Sequence, residues 1–124
     1  MGKPGNTGLT RIIKAFGFSM QGFKALWKHE AAFRQELMLA VILLPTAFYL
    51  ARTSIELIVL VMPVFIVLIV EILNSAIEAI VDRVSDEKHE LSGRAKDMGS
   101  AAVLLSLLLT ALVWSLTLYD MFFA

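Results

Sequence analysis

The chain has 124 residues, 58% of them hydrophobic, and 11 basic residues balance 11 acidic ones; its mean hydropathy is +0.76. That length allows one domain, more apolar than soluble domains of this size usually are. A net charge of zero offers no overall field to draw nucleic acid. With no cysteine, disulfides, thiolate nucleophiles and cysteine-ligated metal centres are all excluded.

The segment 1–29 holds the bases Lys3, Arg11, Lys14, Lys24 and Lys28, and no acid. Ile12, Phe16, Met20, Phe23 and Trp27 recur at spacings of three and four, which predicts a helix over about 7–29 with one apolar stripe. A basic, aromatic-bearing amphipathic helix ahead of a span lies in the membrane interface rather than crossing it. Gly17 and Gly22 weaken this helix and invite a break in two. The opening MGKPGNTGLTRIIKAF is too basic and interrupted for the apolar core of a cleavable signal.

Three transmembrane spans follow, over about 31–51, 55–81 and 97–119, so the expected fold class is an all-α membrane protein. In the first span, the run from Leu37 to Ala51 is uncharged. Arg34 and Glu36 mark one interface, and Pro45 is expected to kink the helix, as membrane helices tolerate. The second span is uncharged from Leu57 to Val70. It then stays apolar to Val81 except at Glu71, Asn74, Ser75 and Glu78. The third runs from Met98 to Tyr119 without a charge, long enough to cross the hydrocarbon core. Besides the N-terminus, the segment 82–97 holds four bases, whereas the turn 52–56 has only Arg52 and the C-terminus none. By the positive-inside rule the N-terminus and the 82–97 loop face the cytoplasm, and the C-terminus lies outside.

The second span carries the chemistry. At 100° per residue, Glu71, Asn74, Ser75, Glu78 and Asp82 share an arc of about 100° on one helix face. Glu71 lies roughly 10 Å deeper than Glu78 along that helix. Polar side chains at such depth face protein, not lipid, and are functional by default. The bland alternative is pairing with bases on neighbouring helices, but the other spans offer none at the depth of Glu71. That residue is therefore protonated, hydrated or part of a site. A ladder of two carboxylates suits a reaction joining a water-soluble reagent to a lipid headgroup. Lys96 can hold phosphate oxygens as a point charge, and Asp97 beside it can hold a ribose or an amine. Glu30 and Glu78 can share a magnesium ion through hard oxygen ligands. A charged loop is more often merely solvated, and His89 alone is more often a surface residue than a ligand. GFSMQGFK (17–24) misses the P-loop lysine and the following Ser or Thr, and no dinucleotide fingerprint or kinase catalytic loop is present. A phosphotransferase here would have to be built on membrane helices.

The stretches TRIIKAFG (10–17), AAFRQE (31–36), VEILNSAIEAIVDR (70–83) and HELSGRAKDMGSAAV (89–103) closely resemble the small bacterial integral-membrane diacylglycerol kinases and the related undecaprenol kinases. The resemblance spans most of the chain apart from Met38 to about Pro63. It implies a homotrimer of three-span protomers in the bacterial inner membrane, with active sites shared between neighbours at the cytoplasmic face. MgATP would be the donor and a membrane lipid the acceptor. On matching motifs it implies Glu71 as the base for the lipid hydroxyl and Asn74 as polar support beside it. Glu30 and Glu78 would be the metal ligands. Arg11, Glu30, Glu78, Glu87, His89, Lys96 and Asp97 would contact the nucleotide. Glu36, Glu71, Ser100 and Trp114 would contact the lipid. Phe18 and Lys88 stand where the family often has tyrosine. The activity so implied is phosphorylation of diacylglycerol to phosphatidic acid, with undecaprenol as the alternative acceptor. A proton-coupled transporter would explain Glu71 but not Glu78, Lys96 or Asp97, and a structural anchor would explain none of the acids.

Orientation is directly testable. A cysteine introduced at Thr53 should react with a membrane-impermeant thiol reagent added outside, and one at Ser92 only after permeabilisation. The opposite pattern would invert the expected topology.

Overall fold

A chain this apolar must satisfy its backbone polar groups internally once in lipid, and helices do so within a single segment. The structure, a computed structural model, describes residues 7–84 and 89–124. Four helices follow one another: α1 (Gly8–His29), α2 (Ala31–Leu50), α3 (Ser54–Val84) and α4 (Glu90–Phe123). Of these, α2, α3 and α4 are long and apolar enough to cross a membrane. Central α3 packs against both α2 and α4, while α1 leans chiefly on α2.

Two expectations differ from what is observed. First, α1 runs unbroken through Gly17 and Gly22; a glycine costs about 1 kcal/mol against alanine, too little to end a helix whose other residues favour it. Second, the connection expected over 82–97 is largely helical, because α3 continues to Val84 and α4 begins at Glu90. With 31 and 34 residues, these helices are about 46 and 51 Å long, well beyond a ~30 Å hydrocarbon core. Their facing ends are tied by the Lys96 Nζ to Asp82 Oδ1 ion pair at 2.6 Å.

The core follows a seam along α3. Leu60, Val64, Val67, Glu71 and Asn74 are buried at alternating spacings of four and three, the pattern that keeps one helix stripe against a neighbour. Opposite it, α4 buries Gly99, Ser106, Thr110 and Trp114, and α2 buries Ala40 and Ala47. Small residues let membrane helices approach closely where lipid provides no hydrophobic drive. Pro63 lies in this seam, inside α3. The Trp114 ring N–H donates to Leu60 O at 2.9 Å, and the Thr110 hydroxyl sits 2.9 Å from Ser106 O and 3.4 Å from Pro63 O. In α2 the Thr46 hydroxyl, next to Pro45, donates to Ile42 O at 2.7 Å. Side-chain hydroxyls and ring donors thus surround the two helix prolines, as tolerance of proline in lipid requires.

The α2–α3 turn is closed by its own sequence, TSIE. Thr53 Oγ1 accepts from the Glu56 N–H at 3.1 Å, and Glu56 Oε1 accepts from the Arg52 N–H at 2.9 Å. This is the reciprocal logic of a capping box.

The Trp114 contact allows a stability test. Trp114→Phe should lower the free energy of reversible unfolding in detergent by about 1–2 kcal/mol, from the lost hydrogen bond and packing. The near-isosteric Thr110→Val, whose hydroxyl is shared, should cost less than about 1 kcal/mol. A larger loss from Thr110→Val would contradict this ranking.

Candidate active site

The polar cluster is assembled from three elements, beginning with the elbow at Glu30. Glu30 is at once the C-cap of α1 and the N-cap of α2, with extended backbone at φ −116° and ψ 101°. Its N–H donates to Leu26 O at 2.9 Å and its carbonyl accepts from the Arg34 N–H at 3.2 Å. The Arg34 guanidinium folds back onto the end of α1, donating to Trp27 O at 2.6 Å and contacting Lys28 O at 3.4 Å. A cation on the last carbonyls of a helix satisfies orphan acceptors and complements the helix dipole. Arg34 therefore fixes the direction in which Glu30 leaves the elbow.

On α3 the seam turns from apolar to polar at Glu71. Glu71, Asn74 and Ser75 are only 3%, 8% and 5% exposed. Asn74 Nδ2 donates to Glu78 Oε1 at 2.9 Å and lies 3.4 Å from Glu71 Oε2. One amide thus bridges a buried carboxylate and a more accessible one a turn or two nearer the helix end. Glu30 is within electrostatic reach of Glu71, and so is Glu36 from α2. Among the described residues none of these four carboxylates forms an ion pair. Glu36 Oε2 is buried without a hydrogen-bond partner.

Around the cluster lie two apolar grooves that share Ile72. One, of about 660 Å³, is lined by Met20, Phe23, Trp27, Phe33 and Leu68. The other, of about 410 Å³, is lined by Leu26, His29, Ala76 and Ala79, with Glu30 and Ser75 on its wall.

The remaining expected site residues are placed unevenly. Lys96 is held by Asp82 and lies within electrostatic reach of Glu78. Asp97 and Ser100 are on the first turns of α4 beside it. His89 is the N-cap of α4, its Nδ1 accepting from the Leu91 N–H at 3.1 Å. Glu87 and Lys88 lie outside the described residues. Phe18 is 41% exposed on α1. Arg11 is 19 positions before Glu30 on an essentially continuous helix, roughly 28 Å away along its axis. Within this chain it does not join the cluster. Trp114 is also remote, bonded to Leu60 O, a carbonyl about 16 Å from Glu71 along α3. It borders a separate groove of about 250 Å³ with Leu39, Leu43, Leu107, Thr110 and Ala111.

A divalent cation suits the donor set. Uncompensated carboxylates of hard oxygen character, drawn from separate elements, are what magnesium takes. Among the described residues no group of three or more His, Asp or Glu side chains is placed to hold a metal ion. Magnesium usually relies on one or two carboxylates and completes its shell with water and substrate phosphates.

Two contributors were not evident from sequence. Arg34 reads as an interface marker, and only the elbow shows it capping α1. Asp82 reads as one more acid on the polar arc, and only the antiparallel pairing of α3 with α4 brings Lys96 to it.

Residues 17–118 match the family model described as prokaryotic diacylglycerol kinase. The chain is 52% identical over 116 residues to a protein named diacylglycerol kinase from Escherichia coli K12, covering 94% of this chain and 95% of that one. It is 50% identical over 111 residues to one so named from Pseudomonas aeruginosa, covering 90% of each. A Helicobacter pylori protein of the same name is 41% identical over 111 residues, covering 90% of this chain and 87% of that one. The chain therefore belongs to the prokaryotic diacylglycerol kinase family and is a lipid kinase.

Proposed function

We propose that this protein transfers the γ-phosphoryl group of ATP to the primary hydroxyl of diacylglycerol, yielding phosphatidic acid, at the cytoplasmic face of the bacterial inner membrane. The observation that carries this reading is the Glu71–Asn74–Glu78 relay, which links a buried carboxylate at lipid depth to an accessible one. Diacylglycerol is preferred over undecaprenol because the relatives carry that name. A proton-coupled transporter fits less well, since the acids gather at one end of the spans.

Glu71 acts as the general base. Its carboxylate takes the proton of the acceptor hydroxyl as that oxygen attacks the γ-phosphorus in line, and the bond to the β–γ bridging oxygen breaks to release ADP. Asn74 orients both carboxylates. Glu30 and Glu78 hold magnesium, which when bound compensates charge on the triphosphate. Lys96 faces the nucleotide phosphates as a point charge, and Asp97 beside it holds the ribose or an amine. The apolar grooves flanking Ile72 suit acyl chains entering beneath α1, which lies in the interface with its exposed Ile12, Phe16 and Trp27 turned to lipid.

The active unit is a homotrimer with shared sites. One feature supports this: the distance of Arg11 from Glu30 within one chain. The N-terminus lies inside and the C-terminus outside, following the basic bias of the sequence.

Glu71→Gln keeps the side-chain size and removes the proton acceptor. It should lower kcat by two to four orders of magnitude, with KM for ATP little changed. Purified protein assayed with short-chain diacylglycerol, undecaprenol and labelled ATP measures this, and preferential turnover of undecaprenol would reassign the acceptor. If Glu71→Gln instead lost ATP binding but kept turnover at saturating ATP, Glu71 would be a metal ligand.

Glu30→Gln and Glu78→Gln should each raise the magnesium concentration needed for half-maximal activity, read from titrations at fixed ATP. Co-assembling Glu71→Gln with Glu30→Gln, at a magnesium concentration where neither is active alone, should restore a fraction of activity if sites are shared. Unchanged magnesium dependence would remove either glutamate from metal binding.

A further inference from the structure

Helix α4 contains two glycines, Gly93 and Gly99, and glycine is the weakest ordinary helix former. Their surroundings differ completely. A Cβ built on Gly93 meets nothing within 4 Å. A Cβ built on Gly99 would collide with the Asn74 amide, falling first on Oδ1 and then on Cγ. Gly99 is buried in the α3–α4 seam, so the bare Cα face of α4 lies directly on the side chain that bridges Glu71 and Glu78.

Asn74 Oδ1 is buried and lacks a hydrogen-bond partner. The orientation of the amide follows from charge: reversing it would aim an acceptor oxygen at two carboxylates and lose both donated contacts. Oδ1 must therefore face α4, where Gly99 presents a Cα–H, a weak donor, in place of a methyl group. Any side chain at 99 would drive the amide off its carboxylates or push α4 away from α3.

We propose that Gly99 is a positioning residue for phosphoryl transfer, its missing side chain holding the Asn74 amide in the pose that orients Glu71 and Glu78. The effect runs through Asn74 alone, and it rests on the reading of Glu71 as the base. Displacements of about 1 Å at a reacting group can cost on the order of 10²-fold in rate, so an added methyl group is enough to matter.

The test is a double-mutant cycle on the full-length purified protein, reading kcat, KM for ATP and acceptor, and melting temperature. Gly99→Ala should lower kcat by about 10²-fold with KM for the lipid acceptor unchanged, and should lower the melting temperature. Gly93→Ala, on the same helix with open space at its Cβ, should leave kcat unchanged. Asn74→Ala will itself be impaired, but adding Gly99→Ala to it should change neither kcat nor melting temperature further, because the colliding amide is gone. If Gly99→Ala lowers kcat by the same factor with and without Asn74, Gly99 does not act through Asn74 and the proposal fails. Should Gly99→Ala alone not accumulate, the double variant must accumulate and behave as Asn74→Ala does; its absence would overturn the proposal equally. Failure of the base assignment is separable: it appears as Glu71→Gln retaining turnover, while the melting-temperature cycle still reports the Gly99–Asn74 contact.

Discussion

Everything at the site hangs on the α3 seam, because one stripe of one helix must serve both packing and chemistry. Leu60, Val64 and Val67 fill the first half of the seam, and the same repeat delivers Glu71 and Asn74 to the equivalent positions further along. A helix cannot rotate one half without the other, so burial of Leu60 dictates burial of Glu71. In lipid the drive for helix association is weak, and close approach of small surfaces replaces it. Alanines on α2 and the glycine, serine and threonine on α4 provide that approach. Tight packing at one end thereby sets the register of acids at the other.

Length supplies the second constraint. Helices of 31 and 34 residues are longer than a hydrocarbon core requires, and their charged residues gather where α3 closes and α4 begins. This extra length explains how Lys96 and Asp82 meet while Glu71 stays buried. It also gives the acid cluster two environments, with Glu78 partly accessible and Glu71 shielded. The elbow at Glu30, braced by Arg34, closes the arrangement from the interface side.

Burial of like charges is ordinarily costly, and four carboxylates in one cluster are a standing source of instability. Asn74 lessens it by donating to two of them. The rest of that cost would be offset under the proposed function, in which the cluster binds cationic partners.

From the sequence alone, the three spans, the basic N-terminal segment and the polar arc on α3 were all determined, since charge-free runs and helical periodicity are local properties. The acids at Glu71 and Glu78 were legible for the same reason: a carboxylate inside an apolar run is conspicuous at any alignment of helices. Only the tertiary structure decided which surfaces meet. It moved Arg34 from interface marker to cap of α1, joined Asp82 to Lys96, and set the Trp114 ring N–H on Leu60 O. It also showed that the glycines of α1 do not interrupt the helix, because propensity yields where neighbouring residues sustain it. Gly99 is the sharpest case. In the sequence it is one small residue among several near SAAV, and its meaning appears only when α4 lies against α3, because contact between residues 25 positions apart is fixed by packing and not by local preference.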